Sequence, residues 1–341
     1  MKTGREWLTK QGWHGLHGEL SARPLRPTTL LLLAGDLGLL GVSWGLWSTL
    51  GPWSAAIAWP LLMLALIHLY LILHEAAHSS VSPHRWVNHL VGNLCGWSFL
   101  LPFFTRQRNH LLHHVWAGHP VGDPENNKMI ARFSVMTSKE ERKLEFVWRH
   151  WLPVITLNHF VDHWRDPVRQ LRAGNRSPRI AREARFAMIY FLGYALLAAV
   201  LVATGNVASF LKWYLPPWVV LLAFIELVNL PHHAEAPLLD PGSKALPYWR
   251  QAEVTHNCAS VPVWSRWVLL NFNLHVAHHA FPMVPWYDLP LLNDRANQKA
   301  KAIAHEPKNE FDWAVTNRRR PLLSVMGHFF DKRSCRPAHQ K

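Results

Sequence analysis

Four stretches of this chain stay apolar for the length of a bilayer crossing. Thr28 to Leu50 runs 23 residues with one charge, Asp36; Ser54 to Leu73 runs 20 with none. Phe186 to Gly205 runs 20 with none, and Trp213 to Leu230 runs 18 with one, Glu226. A crossing helix needs about 20 mostly apolar residues, whereas a core helix of that length in a soluble protein normally keeps a polar stripe. The sequence therefore predicts four transmembrane helices in two hairpins, turning at Gly51-Pro52 and between Asn206 and Lys212. Asp36 and Glu226 are expected to face a bundle interior or a cavity.

The basic residues orient the spans. Of 36 Lys and Arg, five precede the first span, 16 lie between the second and third, and 14 follow the fourth; only Lys212 falls in a tight turn. The positive-inside bias places both termini and the long central segment in the cytoplasm. The net charge of +14 is thus read as topology, with no nucleic-acid partner. Three cysteines without close spacing exclude a disulfide framework and a zinc ribbon. The first 27 residues are basic and lack the apolar core of a signal peptide. Asn88–Phe104, Glu145–Phe160 and Val261–Leu274 are apolar but short, and read as helices in or dipping into the interface. The 19 Trp are expected at headgroup depth.

Eight histidines fall into three clusters: His74-Glu75-Ala76-Ala77-His78, His110-Leu111-Leu112-His113-His114 and His275-Val276-Ala277-His278-His279. Spacings of three and four put side chains on one helix face, so each cluster can aim its imidazoles at one point. All three lie on the predicted cytoplasmic side. Neutral imidazole is the commonest side-chain metal ligand, and one metal takes too few ligands to use eight. An all-nitrogen site suits iron, copper, nickel or zinc; two metals in a dry, oxygen-accessible pocket favour iron and redox chemistry. After the fourth span comes Asn229-Leu230-Pro231-His232-His233. Either His232 or His233 offers a ninth ligand, the proline breaking the helical spacing that would choose. His68 points to a different face from His74. His84, His89, His150, His159, His163, His305, His328 and His339 are read as having no partner spacing, and His119 and His256 as outer-shell candidates.

Three histidine boxes, two membrane hairpins and the strings Gly122-Asp123-Pro124-Glu125, Asn271-Phe272-Asn273-Leu274-His275-Val276-Ala277-His278-His279-Ala280-Phe281-Pro282 and Val284-Pro285-Trp286-Tyr287-Asp288-Leu289-Pro290 resemble the membrane fatty acid desaturase superfamily. The resemblance implies an all-α integral membrane protein whose cytosolic helical cap holds two non-haem iron ions. It implies oxygen as co-substrate, a fatty acyl substrate, and electrons from a separate ferredoxin- or cytochrome-type donor with its reductase. An Asn-x-x-x-His element in the acyl-CoA desaturases supplies a further ligand and a water-bridging amide. Asn229 and His233 match it, so the implied ligands are His74, His78, His110, His113, His114, His233, His275, His278 and His279, with Asn229 and His232 outside the first shell. The H-x-x-x-H form of the first box looks more like the acyl-lipid desaturases and their bacterial relatives, which implies a bacterial inner membrane. Expected divisions are a basic cytosolic segment 1–27, a membrane desaturase-like domain 28–290 and a basic cytosolic tail 291–341.

The implied reaction is desaturation of an unactivated acyl chain. The same hydrogen abstraction ends otherwise in hydroxylation, or in decarboxylation to a terminal alkene. The acyl chain is expected in a tunnel; Trp97, Trp116 and Phe104 are candidate walls, with packing the simpler reading of each. Two other classes compete. His74-Glu75-x-x-His78 also satisfies the H-E-x-x-H of an intramembrane zinc protease, with Leu239-Asp240-Pro241-Gly242 as a third-ligand motif, but that leaves six box histidines unexplained. A haem protein would draw axial ligands from within the spans, where only His68 is found. With one cysteine after Pro290, the tail holds no iron–sulfur cluster. A separate, acidic donor would be drawn to the basic cytosolic face; Arg318-Arg319-Arg320 either join that face or, the favoured expectation, meet anionic lipid.

Overall fold

Helices form wherever the chain is apolar for some twenty residues, and continue beyond. The computed structural model describes residues 7–21, 23–300 and 306–325. It is all-α, 72% helical, with one isolated bridge, Cys258 to Lys308, among the described residues. In chain order the helices are α1 (Lys10–Ser21), α2 (Thr28–Leu50), α3 (Ala55–Ala77), α4 (Arg85–Ser98), α5 (Phe103–Trp116), α6 (Pro124–Ser134) and α7 (Ser138–Arg149). Then follow α8 (Val154–Arg172), α9 (Pro178–Ala203), α10 (Val207–His233), α11 (His275–Ala280), α12 (Leu289–Lys299), α13 (Glu310–Arg318) and α14 (Leu322–Val325). Three stretches are long and apolar enough to cross a membrane: Thr28–Ala77, comprising α2, a 3-10 turn and α3; Pro178–Ala203; and Val207–His233. The expected spans correspond to α2, α3, α9 and α10. The last three are longer than expected, because a helix ends where its backbone bonds can be replaced, not where apolarity ends.

The residues divide into two compact units, 25–108 with 155–224, and 1–24 with 109–154 and 225–341. In the first, α2 and α3 pack as an antiparallel hairpin. Asp36 Oδ1 lies 2.9 Å from His68 Nδ1, and the Ser43 hydroxyl donates to the Ala58 carbonyl at 2.6 Å, so contacts step in opposite directions along the two helices. Asp36 is buried and answered by His68 rather than by lipid. Trp213 of α10 donates to Ser43 Oγ (2.8 Å) and Trp47 of α2 to Ser209 Oγ (3.1 Å).

The end of α4 is capped by aromatic donors. Carbonyls at a helix C-terminus have no intrahelical partner, and an apolar surrounding leaves them costly. Tyr190 donates to the Asn93 carbonyl (2.7 Å), Tyr194 to Trp97 (2.8 Å) and Tyr214 to Ser98 (2.7 Å). Trp218 donates to Phe99 (3.1 Å) and Trp164 to Leu100 (2.9 Å). The expected interfacial segment Asn88–Phe104 is therefore most of α4 and a capped turn leading into α5. Trp97 stacks on Tyr194 at 5.3 Å between ring centres, a packing role.

In the second unit α1 lies on α12 and the third histidine box. Trp7, Leu8, Leu16 and Leu20 are buried with Val276, Ala277, Ala280, Phe281, Leu289, Leu292 and Ala296. Trp13 donates to the Ala280 carbonyl at 2.7 Å and Trp7 to Asn297 at 3.0 Å. Glu226 is also buried and answered: Arg318 reaches it at 2.5 Å, donates to the Trp148 carbonyl at 3.1 Å and stacks over the Trp148 ring at 4.0 Å. Arg318 thus departs from the expected lipid contact, while Arg319 and Arg320 are exposed. Three further expectations are corrected. Glu145–Phe160 is broken into α7 and α8 before Pro153, which cannot donate to continue a helix. Val261–Leu274 is turns around one π turn, Trp264–Val268, with Val263, Leu270 and Asn271 at positive φ. Eight of the 19 Trp donate their indole N–H to interior acceptors, so many are framework rather than headgroup anchors.

Candidate metal centre

The second box sits on α5, where the three- and four-residue spacing brings His110 and His114 over one another. Their Nε2 atoms are 3.1 Å apart, and His114 Nε2 is also 3.1 Å from His278 Nε2 of α11. A second convergence joins the other histidines of this unit. His233 Nε2 is 2.9 Å from His275 Nε2, which is 3.1 Å from His279 Nε2. The His113 ring stands 4.7 Å from that of His233 and 5.1 Å from that of His279. His113, His233 and His279 offer ligand atoms close enough to share one metal ion. All these rings are buried except that of His233, which is partly so.

The distances carry chemical meaning. Two nitrogens about 2.1 Å from one ion and at right angles to it lie about 3.0 Å apart. The observed Nε2 separations of 2.9–3.1 Å match that arrangement. Burial, reinforced by the neighbouring imidazoles, pushes His275 and His279 well below the ordinary histidine range. The rings are thus neutral, the form that binds metal.

Two polar side chains fix which nitrogen faces inward. Asp123 Oδ2 lies 2.9 Å from His113 Nδ1, and the other oxygen, Oδ1, accepts from Glu125 N at 2.9 Å to cap α6. One residue of the Gly-Asp-Pro-Glu string therefore starts a helix and orients a ligand, the carboxylate–histidine pairing common around metals. A Cβ on Gly122 would lie 2.4 Å from the Trp116 ring, so the chain turns there only with glycine, and Trp116 packs. The second orienting residue is Gln251, which sequence reasoning missed. It is fully buried in the 3-10 turn Tyr248–Glu253. Its Oε1 lies 2.8 Å from His279 Nδ1, and its Nε2 donates to the His114 carbonyl. One amide thus ties the second box to the third. No spacing signal marks it, because the link spans 137 residues to His114.

The other candidates take these places. His74 and His78 lie together in the last turn of α3 and just past it, both buried, rings 4.9 Å apart; the adjacent Glu75 accepts from the Ser80 hydroxyl at 2.8 Å. α10 runs through Pro231 to His233, with Ala234 N bonded to the Leu230 carbonyl at 2.8 Å, so the proline does not break the helix as expected. His232 points away: its Nδ1 lies 2.9 Å from the His256 carbonyl. The Asn229 amide donates to the Ile225 carbonyl at 2.9 Å. His119 caps a turn, accepting from Val121 N and Gly122 N at 3.1 and 2.8 Å. His159 and His163 do have partner spacing, four apart on α8, and their rings meet at 4.3 Å. His305, His328 and His339 lie outside the described residues.

Helices long and apolar enough to cross a membrane, with buried groups of histidines that could hold metal, are what a membrane metalloenzyme requires. The profile of the fatty acid desaturase family matches residues 51–306, and the chain belongs to that family. It is 26% identical over 297 residues to the sn-1 oleoyl-lipid 12-desaturase of Anabaena variabilis, covering 82% of this chain and 79% of that protein. It is 24% identical over 270 residues to the enzyme of the same name from Arthrospira platensis, covering 74% and 70%. A third relative, the sn-1 acyl-lipid omega-3 desaturase (ferredoxin) of Nostoc sp. (strain 36), is 23% identical over 279 residues, covering 74% and 70%. The protein is a fatty acid desaturase-type oxidoreductase. The family implies non-haem iron, and the donor set fits it. The hydroxylase, decarboxylase and zinc protease readings are not favoured.

Proposed function

We propose that this chain desaturates fatty acyl groups carried on membrane lipids, with two non-haem iron ions held by the nine histidines. The carrying observation is the double convergence of Nε2 atoms, around His114 and around His275. His110, His114 and His278 would hold one ion and His113, His233, His275 and His279 the other; His74 and His78 are assigned as ligands on the resemblance to the family's histidine boxes. When bound and reduced, iron supplies the activation of oxygen that such a C–H bond requires. The balance is one –CH2–CH2– unit, one O2, two electrons and two protons in, and one –CH=CH– unit and two waters out. The chain's own part is to keep His275 and His279 neutral by burial, to fix the inward nitrogens of His113 and His279 through Asp123 and Gln251, and to hold the acyl chain away from water. Asn229 and His232 act from outside the ligand shell.

The acyl-lipid substrate is supported by the names of the relatives. A separate ferredoxin-type donor is supported by the name of one. The 35 to one division of basic residues supports crossings by α2, α3, α9 and α10 with both termini and the metal site cytoplasmic; we place them in a bacterial inner membrane.

Lipid profiling of a host expressing the chain tests the reading. New double bonds in lipid-bound acyl chains are expected, lost in His110→Ala, with two irons per purified chain. One zinc per chain, or unchanged lipids with iron and reductant present, would overturn it.

A further inference from the structure

Positive charge gathers at the starts of α4 and α9. Arg85 opens α4, while Arg179 and Arg182 lie in the first turns of α9, and Arg182 feels the charge of both others. Phe104 organises the group. The Arg182 guanidinium lies 4.3 Å over its ring, and His89, one turn along α4 from Arg85, meets the same ring edge-on at 5.1 Å. Phe186 packs against it at 4.6 Å. Burial, with the charges of Arg182 and Arg85, pushes His89 below the ordinary imidazole value, so the neighbourhood already resists more positive charge. The Glu183 carboxylate also acts on Arg182, but both its oxygens are engaged by Arg108, at 2.7 and 3.0 Å. Arg182 Nε is buried with no acceptor. The N-termini of α4 and α9 add about half a positive charge each.

Guanidinium forks suit phosphate oxygens, and the surroundings indicate what carries the phosphate. Arg185, Ile189, Leu192 and Leu196 follow Arg182 at helical spacing on the same face of α9. Ile189, Leu192 and Leu196 are 50%, 60% and 67% exposed, in a helix apolar enough to cross a membrane. Trp86, beside Arg85, is 67% exposed, as indoles at headgroup depth are. A free phosphate would use only the arginines; a phospholipid uses the arginines and the apolar stripe. We propose that Arg85, Arg179 and Arg182 bind the phosphate of an anionic glycerophospholipid whose tails lie along the exposed face of α9. The site does not depend on the reaction proposed above.

Native mass spectrometry of the purified full chain in neutral detergent, titrated with phosphatidylglycerol or phosphatidylcholine, tests this. One phosphatidylglycerol is expected to be retained in preference to phosphatidylcholine. Arg85→Gln with Arg182→Gln should lower that preference roughly tenfold, while Arg142→Gln with Lys143→Gln, exposed on α7, should leave it unchanged. Arg182→Lys, which keeps the charge and loses the fork, should fall between and serves if the double variant does not fold. The proposal is overturned if the wild type shows no preference, or if both double variants lose it equally. It is also overturned if millimolar inorganic phosphate strips the lipid completely. Retained lipid in the Arg85/Arg182 variant, with loss of turnover supported by an acidic donor protein, would instead make the surface a protein dock.

Discussion

The two units treat buried polar groups in opposite ways. In the unit of α2, α3, α4 and α9, the first-box histidines and Arg182 aside, a set of buried polar groups meets complementary partners. Asp36 has His68, Arg108 has Glu183 and Asp166, and the carbonyls at and just after the end of α4 have tyrosine and tryptophan donors. In the other unit, buried imidazoles are brought against imidazoles, nitrogen to nitrogen at 2.9–3.1 Å. A framework pairs donor with acceptor; a row of like groups at ligand spacing is arranged for something placed between them. Substitutions at the paired groups of the first unit should therefore cost stability, and those around the imidazoles should cost metal.

The sharpest test is Gln251. Gln251→Met removes both of its contacts and should weaken iron retention about 10–100-fold, read by metal analysis after dialysis against a chelator. Gln251→Glu keeps an acceptor for His279 and loses the donor to the His114 carbonyl, so its loss should be smaller. Equal iron in all three proteins would break the contrast between the units.

Next is the exception within the metal-binding unit, the Glu226–Arg318 pair, which is framework. Arg318→Met strands a buried carboxylate and should cost about 3–5 kcal/mol in thermal unfolding, without selective loss of iron. Adding Glu226→Gln should recover much of that cost. A double variant no more stable than the single one would show that Arg318 acts mainly through the Trp148 ring.

A third test is pH. His275 and His279 are held neutral by burial, so the unfolded chain takes up protons below about pH 6.5 while these rings do not. Stability from this source is full above that pH and declines as pH falls, by at most about 1.4 kcal/mol per pH unit for each ring. Metal-free protein should lose melting temperature from pH 7 to pH 5, and iron-loaded protein, whose ligand rings are all held unprotonated, should start higher and lose at least as much.

The smallest effect is expected at the α4 cap. Tyr214→Phe removes one donor and should cost about 0.5–1.5 kcal/mol, with iron content unchanged. A loss of iron here would mean that the two units are not separable in this way.

Local pattern was readable in the sequence, and distant pairing was not. The apolar runs gave α2, α3, α9 and α10 because helical periodicity and bilayer length are local properties. The His110–His114 spacing gave a shared face for the same reason. The ends of α3 and α10 lie beyond the apolar runs, since apolarity stops before the helix does, and His74 and His233 ride on the extra turns. Pro231 illustrates the limit: its missing N–H costs one bond, and the helix carries His233 past it. Gln251, Arg318 and the α1 residues Leu16 and Leu20 were invisible as partners because their contacts join segments remote in the chain. The expectation for the tryptophans failed for a related reason. Composition counts indoles but does not say which indole N–H finds an interior carbonyl.

The Glu226–Arg318 pair also has a history in time. The two residues are 92 positions apart, so at about 5–20 residues per second the ribosome adds Arg318 about 5–20 s after Glu226. Throughout that interval the last long apolar helix carries a carboxylate whose permanent counter-charge has not yet been made. Synthesis of the segment that carries Arg318 is therefore a fastening step that follows the helix it fastens. A nascent protein halted before it should be the form that quality-control proteases recognise.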